Sequence, residues 1–363
     1  MVERRLLKNF DFTLLVTAVS IVVCGCAMIY SANGIAYMQK QIVWAMFGLV
    51  AATLAASIDH ALYDRIAGKL YVINLLLLIA VIALGDASKG ARRWIGYGGI
   101  HIQPSEFAKI IIIIALAVFL VRRRDSIRTF KTFLWSFVYV GVPMLLVFKQ
   151  PDLGTSLIFL AIWVAMVFVM GTNSKNILIF AGTAAAVALV VWNVPGVMKD
   201  YQKERIITFI NPAADPRGSG YHVTQSRIAI GSGHMVGKGF RKGTQRELGF
   251  IPEQHTDFIF TVVGEELGFA GAATLIVLYL ILMWRALDIL SAAEDPTGRA
   301  IAAGIAGMFF FHITVNLGMT MGIMPVTGVP LPMFSYGGSS LMANLIAIGL
   351  LEGISMRRHK ISF

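Results

Sequence analysis

Charge is what this chain of 363 residues has least of: 14% of its residues are Asp, Glu, Lys or Arg, against 57% hydrophobic. A soluble domain carries about 25% charged residues, so this balance, with a mean hydropathy of +0.73, excludes that class and marks an integral membrane protein. Cysteine is nearly absent. Cys24 and Cys26 stand two apart inside the first apolar run, without the spacing of a redox or zinc pair, so no disulfide framework follows. Acidic residues are scarce too: 20 against 31 Lys and Arg give a formal charge of +11. That excess falls in short clusters between apolar runs, the pattern of a topology signal, and so gives no nucleic-acid surface. The seven histidines form no HExxH pattern, and there is no internal repeat, low-complexity tract or soluble domain.

Apolar runs fill the space that charge leaves. Crossing a bilayer takes about 20 residues. Runs near that length predict ten spans, at 12–30, 42–58, 67–85, 105–121, 132–148, 153–171, 176–194, 258–284, 300–324 and 339–355. The first is too long for a signal-peptide core, lacks a small-residue cleavage site, and reads as a retained helix. An even count returns both termini to one side. Basic residues cluster at Arg4, Arg5 and Lys8, between 122 and 131, and in the tail, while the opposite short loops hold Lys40, Lys89, Arg92, Arg93 and Lys149. The positive-inside rule then puts both termini in the cytoplasm. The expected fold is a single all-α membrane domain over residues 1–363, with an extracytoplasmic loop at 195–257 between spans 7 and 8. Inside that loop Tyr201 to Phe209 reads as an interfacial helix, 211–220 as turn chemistry, and 221–231 as helix again.

The long loop ends in Glu253-Gln254-His255-Thr256-Asp257, directly against Phe258-Ile259-Phe260. A carboxylate at the edge of the hydrocarbon is expensive unless it serves a partner, a proton transfer or a substrate, which makes Asp257 the first functional candidate. Its structural alternative is an N-cap for span 8. Glu106 and Lys109 share a face at the start of span 4, three residues apart behind Pro104, either as a neutralising ion pair or as substrate contacts. Arg92-Arg93-Trp94 offers guanidinium groups suited to a diphosphate, or an interfacial anchor. Asp152 can cap span 6. Gly231-Ser232-Gly233-His234-Met235-Val236-Gly237-Lys238-Gly239 fails as a phosphate loop, because Ser232 replaces a required glycine and Gly239 the required serine or threonine; it reads as a flexible loop. His312 and Asn316, at i and i+4 in span 9, read as interhelical hydrogen-bonding residues. Glu265 and Glu266 either ring a polar cavity or pair with cations from neighbouring helices.

Several of these residues fall in longer motifs. Lys89-Gly90-Ala91-Arg92-Arg93-Trp94, Gln103-Pro104-Ser105-Glu106, Gln150-Pro151-Asp152-Leu153-Gly154, Gly220-Tyr221-His222, Pro252 to Phe260, Gly264 to Gly268, Gly328-Val329-Pro330-Leu331-Pro332 and Ser335 to Ser339 run nearly end to end. In that order they resemble the SEDS family (shape, elongation, division and sporulation). The Gly-Val-Pro-Leu-Pro segment is more like its elongation branch than its division branch. The resemblance implies a peptidoglycan glycosyltransferase that joins lipid II into β-1,4-linked glycan strands at the outer face of the bacterial plasma membrane. It implies Asp257 as the essential aspartate, with Glu106 and Lys109 as a coupled pair and Arg93 near the substrate. The partners it implies are lipid II, the growing glycan strand, membrane lipids and a class B penicillin-binding protein that crosslinks the strands. In this reading Asp257 is the general base, and cations stabilise the departing diphosphate: Arg93 and Lys109, helped by Arg241, Lys242 or a divalent cation, Mg or Mn. Asp152, His255 and Thr256 complete the expected substrate contacts. No other cofactor is called for. The rival classes are a lipid-linked precursor transporter and a non-catalytic cell-wall scaffold.

Overall fold

The computed structural model describes residues 9–88, 91–97, 100–194, 200–211, 215, 218–244 and 254–357. Of the residues singled out above, Arg4, Arg5, Lys8, Lys89, Gly90, Pro252 and Glu253 lie outside that set, as do the side chain of Arg92 and parts of the turn at 211–220. The described chain is nearly all helix. Among the described residues nine helices are long and apolar enough to cross a bilayer. They are α1 (Phe12–Asn33), α2 (Ile35–Ser57), α3 (His60–Leu84), α4 (Pro104–Val121), α5 (Phe130–Lys149), α7 (Ser174–Asn193), α10 (Ile259–Ala292), α11 (Pro296–Thr320) and α12 (Gly338–Met356). A tenth, α6 (Leu153–Val169), is as apolar but shorter. The protein is a multi-pass membrane protein, and the ten predicted spans correspond to these ten helices.

Helix starts follow local chemistry. Asp11, Thr129, Asp152, Asn173 and Asp295 each place a side-chain oxygen on an amide in the first turn, and Pro104 and Pro296 open α4 and α11 where a missing N–H costs little. The core helices are α12, α4 and α11, buried over 83%, 78% and 72% of their most apolar windows, whereas α7 buries 6% and turns its sides outward. Close packing of α2 on α12 needs small residues: a Cβ on Gly349 would lie 2.1 Å from the Ala52 carbonyl oxygen. At the end of the bundle away from Asp257, Asp11 pairs with Arg285, while its amide donates to Glu352 at 3.1 Å.

Three features depart from the expectations. First, α2 begins at Ile35, not 42, because Gly34 (φ 85) makes the whole turn after α1 and no breaker follows it. Second, the segment between α3 and α4 forms a small antiparallel sheet. Its strands β1 (Asp86–Ser88), β2 (Ala91–Tyr97) and β3 (Ile100–Ile102) run in that order, with Asp86 opposite Trp94 and Ile95 opposite Ile102. Short strands that pair locally leave little periodicity to read. Third, α10 is 34 residues long, about 51 Å if straight, and it is broken at Gly268 (φ 64, ψ −159).

The break is filled by the glycine-rich segment that had read as flexible. Between α7 and α10 lie α8 (Asp200–Ile210) and α9 (Ser219–Ser232), both near their expected places. After α9 the chain turns into the gap in α10. Lys238 and Gly239 donate their amides to the carbonyls of Glu265 and Glu266 at 3.0 Å each, and Phe269 and Ala270 donate to the carbonyls of His234 and Met235 at 2.8 and 3.0 Å. Backbone groups orphaned by the break thus find partners. The approach is so close that only glycine fits: a Cβ on Gly237 (φ +79) would stand 2.1 Å from the Glu266 carbonyl oxygen, and one on Gly268 would stand 2.3 Å from the Gly237 nitrogen. Gly237→Ala is expected to destabilise the protein by about 2–4 kcal/mol. Thermal unfolding in detergent checks this, and an unchanged midpoint would show that the loop is not packed into the break.

Candidate functional site

Asp257 sits half-buried on the turn at 254–258, just before α10. The first helical residue is Ile259 and Phe258 takes the capping position, one residue after Asp257. The Asp257 backbone is held from α11. The Asn316 side-chain amide, fully buried in α11, donates to the carbonyls of Asp257 at 2.9 Å and Val329 at 2.7 Å. The Ser335 hydroxyl donates to the Thr256 carbonyl at 2.6 Å, and the Tyr336 amide to the His255 carbonyl at 3.0 Å. The segment at 327–336 is thereby fastened along the turn. Gly328 lies under the carboxylate: a Cβ there would be 3.3 Å from Asp257 Oδ2.

Aromatic rings close one side. The His255 ring stands 5.1 Å from Tyr37 and 5.4 Å from Tyr336, and the two tyrosines are 5.1 Å apart. Burial raises the Tyr336 phenol above its ordinary value, with Tyr37 adding to the shift, so it stays a protonated donor at neutral pH. Gln41 accepts from the Gly337 amide at 3.2 Å and donates to the Ser335 carbonyl at 3.0 Å. Tyr37 and Gln41 come from the extra turns of α2 that the sequence reading had placed in a loop. On the far side the His222 ring lies 6.5 Å from Phe258; burial lowers its pKa, against the pull of Asp215, and keeps it neutral at pH 7.

Glu106 and Lys109 form the expected pair, at 2.9 Å, in α4. Lys109 has 0% of its surface exposed and Glu106 has 4%, which fits the ion-pair reading and leaves no face of the lysine for a substrate. The Lys109 ammonium also donates to His312 Nε2 at 3.1 Å, so the His312 proton is on Nδ1, which donates to the Pro330 carbonyl at 3.0 Å. His312 and Asn316, one helical turn apart, therefore tie the buried cation to the segment that holds Asp257.

Arg93, in β2, points at the turn between α5 and α6. Its guanidinium donates to the Gln150 carbonyl at 3.0 Å and to the Pro151 carbonyl, and lies 3.7 Å from Asp152 Oδ2. Asp152 meanwhile caps α6, accepting from the Thr155 amide at 3.1 Å, as its position before span 6 suggests. Arg241 and Lys242 lie elsewhere, in the loop that fills the α10 break. The Arg241 amide donates to Glu266 at 3.0 Å and its guanidinium stacks 4.8 Å over Tyr30, while Lys242 is exposed. Glu265 pairs with Lys238 of this loop at 2.7 Å. Among the described residues no three His, Cys, Asp or Glu side chains converge to hold the divalent cation considered above, and no step is routed through one. A narrow cleft opens between α8, α9 and residues 322–326, which lead into Thr327 and Gly328.

The sequence matches the FtsW, RodA and SpoVE family of cell cycle proteins over residues 6–360. It is 40% identical to the peptidoglycan glycosyltransferase MrdB of Escherichia coli K12, over 98% of this chain and 95% of that one. It is 35% identical to the peptidoglycan glycosyltransferase RodA of Treponema pallidum, covering 97% and 98%. Among solved structures, a chain of a peptidoglycan synthase complex that coordinates polymerization and crosslinking superposes with a TM-score of 0.82 at 32% identity, covering 97% and 99%. The rod shape determining protein RodA of Thermus thermophilus gives a TM-score of 0.72 at 30% identity, covering 97% and 98%.

Two outcomes test this geometry. Glu106→Gln or Lys109→Met alone strands a buried charge and should cost about 3–5 kcal/mol, while the double variant recovers most of the loss, read as thermal midpoints in detergent. Asn316→Ala removes the donor from two carbonyls and should cost about 1–3 kcal/mol; an unaltered midpoint contradicts the clamp.

Proposed function

The chain belongs to the FtsW, RodA and SpoVE family of cell cycle proteins, and on that premise we propose that it polymerises lipid II into β-1,4-linked glycan strands, releasing polyprenyl diphosphate. Peptidoglycan glycosyltransferase activity is the activity its curated relatives carry. In the reaction Asp257 takes the proton from the acceptor sugar's 4-hydroxyl as that oxygen bonds to the donor's anomeric carbon. The bond from that carbon to the diphosphate breaks, its electron pair leaves on the diphosphate, and the configuration inverts. One general base suffices, because the leaving group departs as a stabilised anion.

The observation that carries this reading is the placement of Asp257: a half-buried carboxylate at the mouth of a membrane helix, its own peptide carbonyl held by Asn316. A base held at one position avoids the entropy of finding its substrate in each turnover. His255 and Thr256 flank it. Glu106 and Lys109 act at one remove, through His312, and Arg93 with Asp152 brace the turn before α6. Arg241 and Lys242, beside a glutamate about two helical turns along α10, take no step.

The same reading makes residues 1–363 one membrane domain in the bacterial plasma membrane, with both termini cytoplasmic and 195–257 outside, as the distribution of basic residues supports. It assigns the protein to cell elongation, with a class B penicillin-binding protein as the crosslinking partner. The likeness to a chain from a synthase complex that couples polymerization to crosslinking supports that partner. With labelled lipid II, the purified protein should make glycan chains without a gradient, and Asp257→Asn should lower the rate by about 10²–10⁴ while unfolding at the wild-type temperature. Polymer from a clean Asp257→Asn preparation would sink the base assignment; movement of lipid II across vesicles without polymer would make the protein a transporter.

A further inference from the structure

Helix α8 carries Arg205 and Thr208 three residues apart, hence on one face, and both line the cleft beside the site. Its other face exposes Ile206, Ile207 and Ile210, at 37%, 45% and 77%, a surface suited to the boundary between hydrocarbon and headgroups. The Thr208 hydroxyl is buried, with 4% of the residue exposed, and has no hydrogen-bond partner. A buried hydroxyl left in that state costs about 1–3 kcal/mol, so something is expected to meet it. Across the cleft, Arg227 of α9 lays its stem against Gly322, whose Cβ would come within 3.0 Å of it. Among the described residues the Arg227 guanidinium makes no hydrogen bond or ion pair, and no acidic side chain lines the cleft.

We propose that this cleft is a diphosphate cradle, in which Arg205, Arg227 and the Thr208 hydroxyl hold the phosphoryl oxygens of a lipid-linked sugar donor. The proposal rests on the polymerase reading given above. Two planar guanidinium forks present the donor geometry that a diphosphate takes up and a lone carboxylate cannot fill. The position suits the reaction. Arg205 donates to the Thr327 carbonyl at 3.3 Å, and the next residue, Gly328, lies against the Asp257 carboxylate. A donor anchored by its diphosphate at Arg205 therefore presents its anomeric carbon, one bond from the phosphate oxygen, toward the base, and charge leaving that carbon flows onto cations already in place. Its prenyl tail leaves along the apolar face of α8. Lys109, sealed by Glu106 and His312, and Arg93, engaged with the turn at 150–152, are thereby relieved of the diphosphate role.

The test is a binding titration on the full-length protein in detergent, with farnesyl diphosphate as the probe and phosphatidylglycerol as the competing headgroup. Wild type and Asp257→Asn should bind the probe equally. Arg205→Gln/Arg227→Gln should weaken binding by about tenfold or more, as expected for the loss of charge-assisted bonds, and Arg227→Gln alone, an exposed position that leaves the fold intact, by about threefold or more. In polymerisation assays Arg227→Gln should raise the KM for lipid II more than it lowers kcat. The cradle is overturned if both variants titrate like wild type, or if phosphatidylglycerol displaces the probe as effectively as unlabelled farnesyl diphosphate does. Because the titration needs no turnover, its failure is separate from failure of the polymerase reading, which Asp257→Asn decides.

Discussion

A lysine ammonium with no exposed surface, set inside a membrane helix, is the constraint around which the rest is arranged. A charge there is tolerated only if it is paired and hydrogen-bonded, and Lys109 spends its donors on Glu106 in its own helix and on His312 of α11. The second bond has the longer reach. By accepting at Nε2, His312 must carry its proton on Nδ1 and deliver it to the Pro330 carbonyl. One turn further along α11, Asn316 takes the carbonyls of Val329 and Asp257. The polar residues of the membrane interior thus end on a backbone oxygen of Asp257, the proposed base.

This gives the site its rigidity through the main chain: Asn316 holds the Asp257 peptide carbonyl, and the carboxylate lies against Gly328. The neighbours follow the same logic. Ser335 and Tyr336 hold Thr256 and His255 by main-chain oxygens, and the rings of Tyr37, His255 and Tyr336 pack on one another. In the proposed reaction, a base held in this way and a diphosphate met by arginines are complementary halves of one displacement.

The break in α10 is a second organising device. A straight helix of that length would overrun a hydrocarbon layer about 30 Å thick. The glycine-rich loop after α9 supplies amides and carbonyls to the broken ends, which joins α9 to α10 and brings Val223 and Arg227 of α9 to face α8 across the cleft. Glycine at 237 and 268 is a packing requirement, since any side chain there would overlap main-chain atoms.

The fold class, the ten helices and their approximate limits were legible in the amino-acid order, because about 20 apolar residues have little alternative to spanning a bilayer and caps such as Asp152 and Pro104 act locally. Asp257 was legible for the same reason: a carboxylate against a long apolar run stands out in one dimension. The pairing of Glu106 with Lys109 was readable from i,i+3 spacing. The grip of Asn316 on Asp257 was not, nor Tyr37 beside His255, the opposition of Arg205 and Arg227, or the glycine loop in the break of α10. Those partners lie 59, 218, 22 and about 30 residues apart in the chain, and only packing of the helices brings them together. Hydrophobic length is a property of the sequence itself; which polar group meets which is decided by crossing helices, where close approach depends on side chains from separate segments fitting at once.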